Sequence, residues 1–188
     1  MKKLWIILIV VACFGLAIFG WYKNGYDKII SLNQGVQSQW AQVENQLQRR
    51  FDLIPNLVNT VKGYATHERG LLEEVTRLRS QWASASTLPE KVVAADALTK
   101  TLSKLLIVSE NYPDLKANEN FLMLQSQLEG TENRITVERM RYNHAAQEFN
   151  AYQQSFIGRF FASQTGKTQS VPFFSAIHEA KTAPVVSF

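Results

Sequence analysis

Residues 119–156 read ENFLMLQSQLEGTENRITVERMRYNHAAQEFNAYQQSF, and one apolar position recurs at every seventh residue: Phe121, Leu128, Ile135, Tyr142, Phe149 and Phe156. Leu124, Ala145 and Tyr152 fall on the companion seam. Two helical turns bring positions seven apart back to nearly the same side, so this spacing lays one apolar stripe along a long helix and demands partner helices to cover it. No alternating strand pattern of useful length competes with it, and the expected fold class is all-α.

Working outward, Val36, Trp40, Val43, Leu47, Ile54, Leu57 and Val61 keep the same helical period, and between Tyr26 and Phe161 the prolines are confined to Pro55, Pro89 and Pro113. These breaks predict helices over about 26–62, 67–86, 89–112 and 116–161, the third starting behind Thr87 with Pro89 in its first turn. Short connections make neighbours antiparallel, which gives an up-down-up-down four-helix bundle over 23–162. Pro55 cannot donate to the carbonyl of Phe51, so a kink is expected there, or a restart capped by Asp52.

The long first and fourth helices overrun the shorter pair and leave a two-helix stalk with Val36, Trp40, Phe149, Tyr152 and Phe156 poorly covered. The tail, 163–188, is punctuated by Gly166 and Pro172 and is too apolar, with Phe173, Phe174, Val185, Val186 and Phe188, for a free linker; it is expected to dock. Phe160, Phe161, Phe173 and Phe174 belong at the level of the stalk, where they either cover it within one subunit or meet a neighbouring subunit or lipid. Trp40, Phe149, Tyr152, Phe156, Phe160, Phe161, Phe173 and Phe174 are therefore the expected assembly surface.

The other end of the chain is a membrane signal. Residues 1–3 are basic, and 4–22, LWIILIVVACFGLAIFGWY, carry no charge. As a helix the run is roughly 28 Å long, close to a bilayer's hydrocarbon core. Leu4 opens the span; Trp5 marks one face of it and Trp21 and Tyr22 the other, as interfacial aromatics do. Phe19-Gly20-Trp21-Tyr22 is too bulky for a signal-peptidase site, which favours an uncleaved single-pass anchor. Val10-Val11-Ala12-Cys13 resembles a lipobox, but the apolar run continues past it, so Cys13 reads as an inert membrane cysteine. Lys2 and Lys3 before the span, against Lys23, Asp27 and Lys28 after it, give a slight positive-inside bias: a cytoplasmic N-terminus and an extracytoplasmic domain on the bacterial inner membrane.

Composition narrows the functional classes. The net charge of +4 arises from 20 basic and 16 acidic residues that are interspersed, an ordinary solvated surface and not a nucleic-acid footprint. With one cysteine, the domain has no disulfide of its own and no thiol machinery. His67, His144 and His178 lie apart without metal-ligand spacing, and His67-Glu68 reads as a solvated helix start. There is no phosphate loop, nucleophile elbow or pair of Glu-x-x-His motifs. The expectation is a protein that is not an enzyme and uses no cofactor or metal.

Several strings carry a family resemblance: Arg49-Arg50-Phe51-Asp52-Leu53-Ile54-Pro55-Asn56-Leu57-Val58, Val61-Lys62-Gly63-Tyr64-Ala65 with His67-Glu68, Tyr112-Pro113-Asp114-Leu115-Lys116-Ala117-Asn118, Gln125, Thr131-Glu132-Asn133-Arg134-Ile135, Tyr142-Asn143 and the closing Pro-Val-Val-Ser-Phe. Together they resemble the LemA family of bacterial membrane-anchored proteins over nearly the whole chain. The resemblance implies an antiparallel helical bundle on one membrane helix and association with other membrane proteins, such as proteolytic quality-control components. It supplies no catalytic residue set.

Counted from the turns near Gly63 and Pro113, the polar signature residues Arg49, Arg50, Asp52, Asn118, Glu132, Asn133 and Arg134 gather at the end of the bundle away from the membrane. Arg50 shares its sevenfold position with Val36, Val43 and Leu57, so it needs a carboxylate; Glu132 and Glu110 are the candidates, and Glu138 poses the same problem lower down. Such a cluster either fixes helix register or binds a ligand or peptide. The function expected overall is a scaffold or adaptor of the cell envelope, in contact with membrane lipid and self-associating through stalk and tail. The alternative is a ligand- or peptide-binding sensor at the Arg50 and Glu132 tip.

Overall fold

Ile29, Val36, Val43, Leu47, Ile54, Leu57 and Val61 are all buried, and they lie on one helix, α1, Lys2–Lys62. The computed structural model describes residues 2–174 and is all-helical across them, without a strand. Expectations placed on Met1, on the side chains of Lys2 and Lys3, and on the tail over 175–188, His178 and the closing Pro-Val-Val-Ser-Phe included, lie outside the described residues.

The apolar run and the first bundle helix, expected as separate elements over 4–22 and 26–62, are one uninterrupted helix. Gly20 and Gly25 weaken a helix without ending it, and no proline intervenes. Residues 4–22 are exposed throughout, and α1 is long and apolar enough at this end to cross a membrane. Nor does the helix restart at Asp52, whose carboxylate instead accepts a hydrogen bond from Gln48 at 2.7 Å. Pro55 removes the backbone donor for the Phe51 carbonyl, but Arg79 Nε, from the next helix, donates to that oxygen at 3.3 Å. The Phe51 ring stacks on Trp82 with centroids 4.5 Å apart. Side chains from a second helix thus hold the proline-containing turn where the main chain cannot.

After a 3₁₀ turn, Thr66–Glu68, come α2, Arg69–Ser84, and α3, Leu88–Ser109. A capping box starts α3: Thr87 Oγ1 accepts from the Glu90 amide, and the Glu90 carboxylate accepts from the Thr87 amide at 3.1 Å. A single turn, α4, Pro113–Lys116, precedes α5, Glu119–Gln154, whose first turn is capped by Asn118 Oδ1 accepting from the Phe121 amide at 3.0 Å.

The sevenfold stripe is buried at Phe121, Leu128, Ile135, Tyr142 and Phe149, but Phe156 is 96% exposed. The helix expected over 116–161 breaks at Ser155, where the backbone turns extended and Oγ accepts from the Gly158 amide at 3.0 Å to start α6, Phe156–Gln164. That turn rotates Phe156 out of the stripe.

The described residues fall into two compact units, one of 2–42 with 138–174 and one of Val43–Val137. Both α1 and α5 contribute a segment to each.

Candidate functional site

In the second unit, Arg50 is buried in the apolar seam and forms an ion pair with Glu132, while its Nη1 donates to Thr99 Oγ1 at 2.8 Å. Thr99 is itself fixed by donating to the Ala95 carbonyl at 3.0 Å. Glu110 pairs instead with Lys116, and Glu138, in the first unit, with Arg141 at 2.7 Å. The other members of the expected polar cluster do not join the pair. Asp52 meets Gln48, Asn118 Nδ2 donates to Tyr64 Oη at 3.0 Å, and Arg49, Asn133 and Arg134 are exposed.

In the first unit, α5 holds the tail as an extended strap through its main chain. Asn150 Nδ2 donates to the Val171 carbonyl and its Oδ1 accepts from the Val171 amide, both at 2.8 Å. Asn143 makes the same two bonds with Phe174, both at 2.9 Å. Gln153 donates to the Lys167 carbonyl at 2.9 Å, and Tyr142 Oη donates to the Pro172 carbonyl at 3.1 Å. Burial pushes the Tyr142 phenol above its ordinary range, which keeps it a donor.

The strap ends in an aromatic cluster. Phe174 stacks on Trp40 at 6.0 Å and meets the Tyr142 ring edge-on at 5.2 Å, with the Arg139 guanidinium 4.8 Å over its face. Chain reversal into the strap uses a Schellman closure: Gly166 adopts φ +68°, and the Lys167 amide donates to the Ala162 carbonyl at 2.8 Å.

Of the two covers expected for the stalk, α6 and the tail supply one in part, from within the chain. Phe149 and Phe161 are buried, Trp40, Tyr152 and Phe174 half-buried, and only Phe156, Phe160 and Phe173 remain exposed. Phe161 packs on Trp21 and Tyr22 at 5.5 Å each, and Tyr152 Oη donates to the Gly25 carbonyl at 3.2 Å. A side chain at Gly25 would overlap the Phe161 ring, so glycine permits this approach. Sequence reading missed Asn150 and Gln153 altogether, and quoted Asn143 only for resemblance. Their signal was present as polar amides beside an apolar seam, Asn143 and Asn150 seven residues apart and Gln153 three further on.

Among the described residues no group of three or more His, Cys, Asp or Glu side chains is placed to hold a metal ion. An exposed apolar run leading into packed helices, with polar groups engaged within the chain, defines a helical protein with one candidate membrane span. The family model for the LemA family matches residues 39–188, and the chain belongs to that family. It is similar to Protein LemA of Metamycoplasma hominis, 22% identical over 156 residues, covering 82% of this chain and 71% of that protein. It is also similar to Magnetosome protein MamQ 2 and Magnetosome protein MamQ 1 of Paramagnetospirillum magneticum, each 21% identical over 167 residues and covering 75% of this chain. The match takes in 61% of each magnetosome protein.

Proposed function

We propose that this chain is a non-enzymatic, membrane-anchored scaffold or adaptor of the bacterial cell envelope. The observation that carries the reading is the continuity of α1: the exposed run over 4–22 and the buried seam from Ile29 to Val61 belong to one helix. The bundle is the antiparallel up-down-up-down kind. In support, contacts of α1 with α3 advance together (Glu44 with Lys91, Arg50 with Thr99), whereas those with α5 run oppositely (Arg50 with Glu132, Tyr64 with Asn118). The folded part lies outside the cytoplasm, on the far side of the inner membrane from Lys2 and Lys3, and meets other membrane proteins there, among them proteolytic quality-control components.

Carbonate washing of cell membranes tests the anchor, and protease digestion of spheroplasts tests its sidedness. The chain is expected to stay with the lipid and to be cut from outside beyond residue 26; release into the wash would remove the anchor from the reading.

Self-association through stalk and tail proceeds by exchange of the strap, because Asn143, Asn150 and Gln153 bind main-chain groups that a second copy's strap offers identically. A photoreactive phenylalanine at 174, activated in cells, is expected to yield a covalent dimer. Crosslinks confined to one chain would rule out exchange.

The rival sensor reading places a ligand at Arg50 and Glu132. Arg50 is 3% exposed and already bonded on two sides, which favours a register-fixing pair. Arg50→Ala is then expected to cost about 1–2 kcal/mol in chemical denaturation, because it strips Thr99 and Glu132 of their partner while the 40% exposed Glu132 carboxylate can turn to water. Unchanged stability with loss of a captured ligand would favour the sensor.

A further inference from the structure

The exposed side of α6 has no function in the strap or the ion pair. Gly158, Phe161 and Ala162 face inward and are buried, and Phe161 rests on Trp21 and Tyr22 of α1. Outward, Phe156 is 96% exposed, Ile157 44% and Phe160 47%. At about 100° per residue these three fall within an arc of roughly 100°, a coherent apolar face and not scattered exposure.

We propose that α6 lies in the lipid–water interface, with Phe156, Ile157 and Phe160 inserted among lipid acyl chains beside the anchor. The proposal rests on the reading that residues 4–22 cross the bilayer. Trp21 and Tyr22 close that run, where aromatic side chains sit at headgroup level, and contact with them sets the depth of α6.

A shallow groove beside them is lined by Trp21, Gly25, Lys28, Tyr152, Phe156 and Ile157. It offers an acyl chain apolar walls, and its Lys28 ammonium, 4.9 Å over the Tyr152 ring, gives the lipid phosphate a cation. Arg159 supplies another cation on α6 itself, about 60° round the helix from Phe156. A short helix with an apolar outer face and cations at its margin is the form that binds the bilayer surface.

Nitroxide labels on the full chain test this in vesicles of phosphatidylcholine with a minority of phosphatidylglycerol. Single-cysteine chains carry Cys13→Ser with Phe156→Cys, Phe160→Cys, Val11→Cys as the reference within the span, or Glu148→Cys as the aqueous reference on α5. At 156 and 160, collision with oxygen is expected to exceed collision with a water-soluble nickel chelate several-fold, as at 11, with the order reversed at 148. Labels at 156 and 160 that follow 148 while 11 stays lipidic would overturn the placement of α6 alone. Nickel access at 11 would remove the anchor reading and this proposal with it. Low collision with both oxygen and the nickel chelate at 156, with dipolar broadening that disappears on dilution with unlabelled chain, would show a second copy covering this face in place of lipid and would equally overturn the proposal.

Discussion

Arg79 and Pro55 act as a pair although they lie on different helices. The proline leaves the Phe51 carbonyl without its helical donor, and the guanidinium replaces it across the helix interface. Arg79→Met should cost about 1–2 kcal/mol, the range for an acceptor left unmet in a part-buried site. Replacing Pro55 by alanine restores a backbone donor, so the penalty should shrink in a Pro55→Ala background. Urea unfolding of the four variants measures that coupling, and an unchanged penalty would show that Arg79 acts by packing alone. The sequence foretold the missing bond but not its replacement, because Arg79 becomes a neighbour of Phe51 only when α1 and α2 pack. Arg50 was more legible: a cation on an apolar seam demands a counter-charge, and Glu132 stood among the candidates.

Helix limits were legible where chemistry marks them. Thr87, Pro89 and Glu90 form a start signal, and α3 begins there. Thr87→Ala should cost about 1 kcal/mol by loss of the cap, measured by thermal unfolding. The Glu90 carboxyl is held below its ordinary value of 4.5 by hydrogen bonds from Thr87 and then Ser86. Folding thus favours its ionised form: the contribution is complete above the unfolded value and disappears as pH falls through the lower folded one. Glu90→Gln should flatten the stability profile below about pH 4.5, and an unaltered profile would count against the box. The break at Ser155 was hidden, because the sevenfold series runs straight across it to Phe156 and serine within a helical pattern carries little stop signal. Only the extended backbone and Oγ bond at Ser155 reveal a new N-terminus.

For the molecule as a whole, periodicity settled the helical class, and the resemblance settled the family. The strap escaped both, because an extended segment held by its main chain leaves little trace in its own side chains. Asn150→Asp keeps an acceptor for the Val171 amide but loses the donor to its carbonyl. Amide exchange at 171 and 174 should accelerate in that variant, with exchange in α2 and α3 unchanged; equal protection would mean that the aromatic cluster alone retains the tail. The two asparagines stand seven residues apart on a helix and grip positions three residues apart on an extended chain. Seven helical rises are about 10.5 Å and three extended ones about 10 Å, so the two lattices are commensurate. The tail is therefore phased as well as bound: one residue inserted between Val171 and Phe174 can satisfy Asn150 or Asn143, but not both.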